Sequence, residues 1–352
     1  MRIAIFSTST YPTPPVAYGG EIFFWLLARG LCELGHEVTL YGAPASKPPH
    51  DNCRCKLRYI LGTYGEIDLG REFDSMEWYF DEIMGHDFVL DCAHNHPVAE
   101  TVGWYYRKDQ RRVATILNGV TSNTPRCGPY NVVVGSESWK NLLVMGRTQF
   151  FGTPLEYRYG GSLEARIPEV HIAGVIPWAT DTTFYTPEGP KGDYLLWLSR
   201  PTDYKGLGEA LVLAGRLKEN LLIVPGLGNQ SHVKELDSYG GAIEKARELG
   251  ATINILRLPL DSTHHVVKRQ VIRKARALIY PIGSHEPFGL VVIESMACGI
   301  PVITYRMGAM PEIVKHQETG WLCVDFDDMI ETISKLEQLR SPEEIAGCAA
   351  QW

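Results

Sequence analysis

The amino-acid sequence predicts an α/β protein with two doubly wound parallel-sheet domains that face each other across a cleft. The chain has 352 residues, more than the roughly 250–300 residues over which a single hydrophobic core usually grows. Residues 2–41 alternate as strand, loop, helix and strand, a βαβ unit with parallel strands and a right-handed crossover. A second series of strands and helices follows a turn-rich stretch. Both domains should therefore bind ligands at the carboxyl ends of their strands.

The N-terminal domain is predicted to cover residues 1–178. Arg2 to Ser7 is a short apolar run that predicts the first strand, and Glu21 to Leu34 carries apolar residues at helical spacing. A Gly-His pair ends this helix, and Glu37 to Tyr41 predicts the second strand. Further strands are predicted at Phe88 to Ala93, Val113 to Leu117, Asn131 to Val134 and Val170 to Ile176.

The C-terminal domain is predicted to cover residues 193–335, after a linker at 179–192 that is rich in proline and glycine. Its strands are predicted at Tyr194 to Leu198, Leu221 to Pro225, Ile253 to Leu256, Ala277 to Tyr280 and Pro301 to Tyr305. Its helices are predicted at Gly208 to Leu217, Gly241 to Leu249, Val266 to Ala275, Leu290 to Cys298 and Met329 to Gln338. Residues 336–352 are predicted to form a C-terminal tail, which could supply a short helix that crosses back to the N-terminal domain.

Composition indicates a globular protein of the cytoplasm. Apolar residues make up 45% of the chain and charged residues 21%, which is close to the average for soluble domains. A net charge of -7 argues against a nucleic-acid partner. The first apolar run is too short for a secretory signal, and no stretch reaches the roughly 18 apolar residues of a membrane span. The eight cysteines lack the spacing of a zinc site, so we expect reduced thiols.

The most informative segment is HEPFGLVVIESMACGIPVI, residues 285–303, which joins a strand to a helix. The backbone amides of Phe288, Gly289 and Leu290 should lie at the helix N-terminus, where the helix dipole favours an anion. Glu286 precedes the helix and Glu294 lies about one turn inside it, so both carboxylates could accept hydrogen bonds from sugar hydroxyls. Two glutamates at this spacing, taken alone, are equally compatible with an ordinary loop and helix.

The whole segment resembles the retaining glycosyltransferases of the GT-B fold, and glycosyltransferase family 4 in particular. That family carries two glutamates separated by seven residues in an E-x-F-G-L…E-x-M-A-x-G-x-P-V-I frame. This chain fills the frame with Glu286, Phe288, Gly289, Leu290, Glu294, Met296, Ala297, Gly299, Pro301, Val302 and Ile303. The resemblance implies two Rossmann-like domains, with Glu294 on the ribose of a nucleotide and Glu286 on the transferred sugar.

Two cations follow the first strand of the C-terminal domain, in the segment LSRPTDYKG. Arg200 and Lys205 would suit a diphosphate leaving group, whose negative charge grows as the glycosidic bond breaks. Family 4 members carry a similar arginine and lysine here, although Ser199 stands where they usually have glycine. The alternative is a solvated basic loop. The family's base contacts are largely made by the backbone, which would correspond to Arg257 and Leu258.

The N-terminal domain offers two further candidates. Gly19 and Gly20 precede the first helix, and the family has a similar Gly-Gly turn, which would approach phosphate or acceptor. The G-x-G-x-x-G pattern is missing there, so NAD is not expected. DCAHNHP follows a strand, and by resemblance His94, rather than His96, contacts the donor sugar; the alternatives are a surface loop or a helix cap.

Two other segments have mainly structural interpretations. RMGAMPEIVKHQETGWL, residues 306–322, resembles the family's turn after the donor helix, where Glu312 is expected to cap a helix or to order the wall of the cleft. YYRKDQRR, from Tyr105 to Arg112, is either a solvated helix face or a foothold for an anionic lipid acceptor or membrane surface.

The resemblance implies transfer of a sugar from a nucleoside diphosphate sugar to an acceptor hydroxyl, with retention of configuration and without a metal or other cofactor. The acceptor would be a saccharide, a lipid-linked molecule or a small molecule, and peripheral contact with the cytoplasmic face of a membrane is compatible with it. Two alternatives stay open: a non-catalytic protein that binds sugar nucleotides, and another GT-B enzyme such as a nucleotide-sugar epimerase. The base, the sugar and the acceptor are not determined by the sequence.

Overall fold

The computed structural model describes residues 1–13, 19–48, 55–62, 69–94, 96–105, 112–117, 131–144, 171–227, 230–259 and 264–352. Among these residues the chain forms two compact units, one up to Trp178 and one from Ala179 onward. Each is a parallel α/β unit, so the predicted fold class is confirmed. No helix in the described ranges combines the length and apolar character that crossing a bilayer requires.

The first unit is built on a seven-stranded parallel sheet with the order β3-β2-β1-β4-β5-β6-β7. Its strands are β1 (Arg2–Phe6), β2 (Glu37–Gly42), β3 (Cys55–Tyr59), β4 (Phe88–Asp91), β5 (Val113–Leu117), β6 (Asn131–Val134) and β7 (His171–Val175). Its helices in the described ranges are α1 (Gly19–Glu33), α2 (Leu69–Met84), α3 (Pro97–Tyr105) and α4 (Glu137–Val144).

The core of the first unit lies between this sheet and its helices. The central strand β1 is buried from Ile3 to Phe6, and Met76 of α2 and Trp139 of α4 pack into the same cluster. The edge strand β3 was not predicted, because its sequence CKLRY alternates charged and apolar residues and its side chains are only partly buried. Helix α2 was missed as well, since its apolar residues are interleaved with many acidic ones.

The second unit is built on a six-stranded parallel sheet with the order β10-β9-β8-β11-β12-β13. Its strands are β8 (Tyr194–Ser199), β9 (Asn220–Pro225), β10 (Thr252–Ile255), β11 (Ala277–Tyr280), β12 (Val302–Tyr305) and β13 (Gly320–Cys323). Its helices in the described ranges are α5 (Leu207–Leu217), α6 (Gln230–Ser238), α7 (Gly240–Glu248), α8 (His264–Arg273), α9 (Leu290–Ala297), α10 (Met310–Ile313), α11 (Phe326–Thr332) and α12 (Pro342–Ala349).

The end of the second unit is more structured than the sequence indicated. The helix predicted at Met329 to Gln338 is divided into α11 and a 3₁₀ turn, Ile333–Gln338. Part of the predicted tail forms α12, which starts with a capping box between Ser341 and Glu344 and packs against α9 within the unit. A short strand, β13, was overlooked because most of its residues fall in the segment 306–322, which was interpreted as a turn after the donor helix.

Both sheets have the strand order that creates a topological switch point. In the first unit the order reverses between β1 and β4, and in the second between β8 and β11. The connections leave the sheet in opposite directions at this point, which opens a crevice at the carboxyl ends of the two strands. The segments that follow β1, β4, β8 and β11 are therefore the ones that the fold places for ligand binding.

Candidate active site

Lys205 and Glu286 form a buried ion pair at the carboxyl end of the second sheet. Lys205 ends the 3₁₀ turn Asp203–Lys205 after β8, and Glu286 lies in the loop after β11. Lys205 Nζ donates to a Glu286 carboxylate oxygen and, at 2.9 Å, to the hydroxyl of Tyr280. The Tyr280 hydroxyl donates to the same Glu286 oxygen at 3.2 Å. These three side chains, which we call the Lys205 triangle, thus connect the two strands of the switch point.

The protonation states within the Lys205 triangle follow from its burial and its charges. Burial opposes the charge of Lys205, but the Glu286 carboxylate outweighs it and raises the Lys205 pKa above its usual value. Burial and the same carboxylate raise the pKa of the Tyr280 hydroxyl. At neutral pH the triangle therefore presents an ammonium and a neutral phenol as hydrogen-bond donors to one carboxylate.

Two close backbone approaches fix the triangle. Gly206, with φ of 73°, follows Lys205, and a Cβ atom there would overlap the carbonyl oxygen of Pro281. Gly308, with φ of 57°, would place a Cβ atom 2.5 Å from the backbone nitrogen of Glu286. The next amide, of Ala309, donates to the Glu286 carbonyl oxygen at 3.0 Å. Glycine is required at both positions, since a side chain would displace the backbone that carries Lys205 or Glu286.

Arg200 and the N-terminus of α9 add positive potential at the same edge. Arg200 is exposed directly after β8, and its Nη2 donates to the Tyr204 hydroxyl at 3.0 Å. Its charge acts on Lys205 and opposes the rise of the Lys205 pKa, so the two cations are electrostatic neighbours. Gly289 is the N-cap of α9 and Leu290 its first residue. The Phe288 side chain packs in the core with its ring centroid 5.6 Å from that of Trp352, which leaves ligand contacts to the backbone.

The second predicted carboxylate, Glu294, has its own lysine. It lies in α9, and Lys268 Nζ of α8 is 2.8 Å from its Oε1 and 2.6 Å from its Oε2. The side chains of Lys268 and Glu294 are 11% and 3% exposed. Tyr185 lies beside them, and burial together with the Glu294 charge raises the pKa of its hydroxyl. Each of the two predicted carboxylates is thus paired with its own lysine.

Arg257 and Leu258 lie at the far edge of the same sheet. They follow β10, which β9 and β8 separate from β11. Arg257 is exposed and Leu258 partly buried. The topology therefore places these two residues at the carboxyl edge of the sheet, two strands from β8 and three from β11.

In the first unit, the predicted Gly19-Gly20 turn coincides with the start of α1, which begins at Gly19. Glu21 in the first turn of this helix is buried, and its Oε1 accepts a hydrogen bond from Thr8 Oγ1 at 2.6 Å. Thr8 follows β1, so α1 starts beside the switch point of the first unit. Burial raises the pKa of Glu21.

The two histidines after β4 have different environments. His94 is 26% exposed, and its Nδ1 lies 2.9 Å from Oε1 of Glu72, a side chain of α2 that is 0% exposed. Burial opposes the charged form of His94, but the hydrogen bond and charge of Glu72 outweigh it and raise the His94 pKa. His96 is buried, its Nδ1 is 3.2 Å from the Asp91 carbonyl oxygen, and burial lowers its pKa to about 4. Of the two, His94 is the side chain that a ligand can reach.

Asp91, the last residue of β4, is structural. Its Oδ1 accepts from the Ala93 amide at 3.3 Å and its Oδ2 from the Ala99 amide at 2.9 Å, the latter in the first turn of α3. Burial raises the Asp91 pKa to about 8. Glu312 is exposed on the short helix α10. Of the aromatic and basic run from Tyr105 to Arg112, residues 106–111 lie outside the described residues.

Several residues of these sites were not singled out from the sequence. Tyr280 could have been found, because the last residue of a strand before the switch-point loop is placed for ligand contact. Lys268 and Glu72 carried no comparable signal, since a charged residue in an amphipathic helix usually lies on the solvent side. Tyr185 lies in a turn-rich segment without a motif. Among the described residues, no group of three or more His, Cys, Asp or Glu side chains is arranged to hold a metal ion.

Comparison with known proteins relates this geometry to a family. Residues 184–351 match the family model Glycosyl transferases group 1. N-acetyl-alpha-D-glucosaminyl L-malate synthase of Bacillus anthracis is 40% identical over 68 residues, which are 19% of this chain and 18% of that protein. D-inositol 3-phosphate glycosyltransferase of Mycolicibacterium vanbaalenii is 33% identical over 114 residues, 32% of this chain and 23% of that protein. The chain thus matches only about a fifth of the length of these curated relatives.

Solved structures cover the whole chain. Sucrose-phosphate synthase from Thermosynechococcus elongatus has a TM-score of 0.73 and 18% identity, over 100% of this chain and 94% of that chain. The Anabaena protein HepE in complex with UDP-glucose has a TM-score of 0.69 and 17% identity, over 100% of this chain and 95% of that chain. At such identity these likenesses show the fold alone. The chain therefore has the GT-B fold, and its residues 184–351 match the family model Glycosyl transferases group 1.

Proposed function

We propose that this protein is a retaining glycosyltransferase that moves a sugar from a nucleoside diphosphate sugar to an acceptor hydroxyl. The observation that carries the proposal is the Lys205 triangle, which lies at the switch point of the second sheet in the matched domain. It combines a carboxylate for sugar hydroxyls with a cation for a phosphate leaving group. The similarity to a glycosyltransferase and to HepE, which was solved in complex with UDP-glucose, supports a nucleotide-sugar donor.

In this proposal the departing diphosphate is stabilised by Arg200, Lys205 and the first amides of α9. Arg200 and Lys205 both follow β8, and α9 follows β11, so all three converge on one crevice. Donors that are held in place before the reaction stabilise developing charge without reorganising. An exposed arginine can bind phosphate oxygens bidentately, while the lysine acts as a point charge. These fixed charges are why we propose a reaction that does not require a metal ion.

Glu286 is proposed to bind the transferred sugar and Glu294 the ribose, with the base against the backbone at Arg257 and Leu258. A carboxylate can accept hydrogen bonds from two neighbouring hydroxyls. Lys205 keeps the charge of Glu286 compensated within the buried pair, which makes that carboxylate available at low energetic cost. We propose that Gly19, Gly20 and the accessible His94 of the first unit contact the sugar substrates. Glu72 binds the Nδ1 of His94, so its Nε2 is the ring atom that would form a hydrogen bond with a substrate hydroxyl.

The proposed chemistry is a front-face displacement without a covalent intermediate. The acceptor oxygen forms a bond to the anomeric carbon, the bond from that carbon to the diphosphate breaks, and the acceptor proton passes to a leaving-phosphate oxygen. Among the residues that the structure describes in the first unit, the buried carboxylates Glu21, Glu72 and Asp91 each form hydrogen bonds with protein groups, which argues against a nucleophile among these three. The acceptor would be a saccharide, a lipid-linked molecule or a small molecule. We propose that the reaction takes place in the cytoplasm, and an acceptor bound to the cytoplasmic face of a membrane is compatible with this location.

A donor screen tests the proposal without knowledge of the acceptor. The protein is incubated with UDP-, GDP- and ADP-sugars, and the released nucleoside diphosphate is measured. We expect slow hydrolysis of at least one donor, and a loss of about 100-fold or more in Glu286→Gln and Lys205→Met, since each removes a charged partner. The exposed pair Lys245–Glu248, 3.1 Å apart, provides matched controls in Lys245→Met and Glu248→Gln, which should retain activity.

The same screen separates the alternatives. A protein that binds nucleotides without catalysis would show calorimetric binding of UDP, GDP or ADP but no release of product from any donor. An epimerase would convert one donor sugar into another without net release of nucleoside diphosphate. Wild-type activity in Glu286→Gln would refute the site.

A further inference from the structure

Lys268 occupies an unexpected position in the second unit. The buried residues of α8 are His264, Lys268, Val271 and Ile272, which recur at helical spacing and form the face that packs into the domain. A core-facing stripe of this kind normally carries apolar side chains. A buried ammonium is costly unless a counter-charge compensates it. The position of Lys268 is therefore determined by its partner, Glu294.

The surroundings of the pair hold it in one arrangement. Lys268 Nζ lies 2.8 Å from Oε1 and 2.6 Å from Oε2 of Glu294, so both carboxylate oxygens face the ammonium. The neighbouring residue Arg269 donates through Nη1 to the Phe184 carbonyl oxygen at 3.0 Å, and its guanidinium lies 4.4 Å from the centroid of the Phe184 ring. These contacts fix the chain at Tyr185, whose buried hydroxyl lies beside Glu294.

We propose that Lys268 is a positioning residue that holds the Glu294 carboxylate in the rotamer that accepts the vicinal hydroxyls of a ribose, and that it thereby sets the preference of the site for ribonucleotides over 2′-deoxyribonucleotides. This inference rests on the proposed function, which assigns Glu294 to the ribose. Lys268 acts through Glu294. Without the ammonium, a carboxylate that is 3% exposed would lack its counter-charge and would turn away, which removes an acceptor from the ribose site.

The test is a set of calorimetric titrations that require neither acceptor nor turnover. Wild-type protein is titrated with UDP, GDP and ADP, and the nucleotide that binds best is compared with its 2′-deoxy form. We expect the dissociation constant of the wild type to be about tenfold lower for the ribonucleotide, because the 2′-deoxy form lacks one hydrogen bond to a charged group. In Lys268→Met the ratio of the two dissociation constants should fall close to one, mainly because the ribonucleotide binds more weakly.

Three further variants show whether Lys268 acts through Glu294. Glu294→Gln should lose the preference to the same extent, and Lys268→Met combined with Glu294→Gln should lose no more than Glu294→Gln alone. Lys268→Arg keeps the charge and should keep most of the preference. Arg276→Met is a matched control, because it breaks the 2.6 Å ion pair with Glu219 in front of β11 and β9, at the opposite end of the sheet.

The outcomes separate this inference from the proposed function. If Lys268→Met keeps the wild-type ratio, or increases it, the inference is overturned while nucleotide binding stands. If Lys268→Met does not fold, the comparison of Lys268→Arg with Lys268→Gln decides in the same way, since only the first keeps the charge. A wild-type protein that binds none of the three nucleotides overturns the proposed function and this inference with it.

Discussion

Replacement of Tyr280 by phenylalanine removes one oxygen atom from the Lys205 triangle and leaves the ring in place. The hydroxyl accepts from Lys205 Nζ at 2.9 Å and donates to Glu286 at 3.2 Å. Tyr280 is 1% exposed, so water cannot easily replace the lost oxygen. Both Lys205 and Glu286 would keep each other as partners but would lose the third group that fixes their orientation. We therefore expect the variant to fold and to react slowly.

The magnitude follows from the two hydrogen bonds. A hydrogen bond to a charged group contributes about 1.5–3 kcal/mol, and the longer contact to Glu286 should lie at the lower end. Part of this energy is regained when Lys205 moves closer to Glu286, so we expect a net loss of about 2–3 kcal/mol in transition-state stabilisation. This corresponds to donor hydrolysis that is about 30- to 150-fold slower.

The assay is release of nucleoside diphosphate from the best donor, combined with thermal unfolding. Tyr194→Phe is the matched control, because its hydroxyl donates to the Val271 carbonyl oxygen at 2.7 Å at the amino end of the sheet. That variant should lose stability but not activity. If Tyr280 acts through Lys205, its replacement should have little further effect in a Lys205→Met background. Turnover of Tyr280→Phe within about threefold of wild type would refute the reasoning.

Gly308→Ala should slow turnover by at least about tenfold and lower the free energy of unfolding by about 2 kcal/mol, because the new methyl group would lie 2.5 Å from the Glu286 backbone. Wild-type kinetics would show that the loop accommodates the methyl group without displacing Glu286. Asp91 has a folded pKa of about 8, far above its unfolded value of about 4, so the native chain binds the extra proton and loses stability as pH rises through this interval. Between pH 6.5 and 8 the loss should reach up to about 2 kcal/mol in urea unfolding, and Asp91→Asn should flatten the curve; an unchanged slope would exclude Asp91 as its source. Glu72→Gln should lower the His94 pKa, which NMR titration of the imidazole protons measures, and should weaken turnover about tenfold. An unshifted titration would mean that Glu72 does not hold the ring.

The fold was predictable to the extent that apolar runs mark buried strands. The central strands of both sheets, such as β1 and β11, are continuous apolar segments, and their alternation with helices was sufficient for the confirmed fold class. The edge strand β3 escaped prediction because a strand that is covered on one side has no such run. A short helix was expected in the tail at 336–352, and α12 lies there, but its bounds were not predicted because they depend on the capping box at Ser341.

The candidate site was predictable where a local motif carries it and not where distant segments meet. Lys205 and Glu286 were found separately, but 81 residues separate them and nothing local indicates their ion pair. The same holds for Glu294, whose motif says nothing about an ammonium contributed by α8. Lys268 has the appearance of a solvent-facing lysine until the buried stripe of its helix is known. Pairing across the sheet is a property of the tertiary structure, which sequence periodicity does not contain.

The burial of the Lys205–Glu286 pair has a consequence for the response of this protein to ionic strength. At physiological salt, counter-ions screen exposed charges over about 8 Å, and they act on surface pairs such as Lys245–Glu248. Counter-ions screen the charges of Lys205 and Glu286 far less, because these side chains are only 9% and 14% exposed. The chain as a whole carries a charge of -7, which repels an anionic donor at a distance. Added salt therefore weakens the long-range repulsion and the attraction of the exposed Arg200, while the ion pair between Lys205 and Glu286 persists.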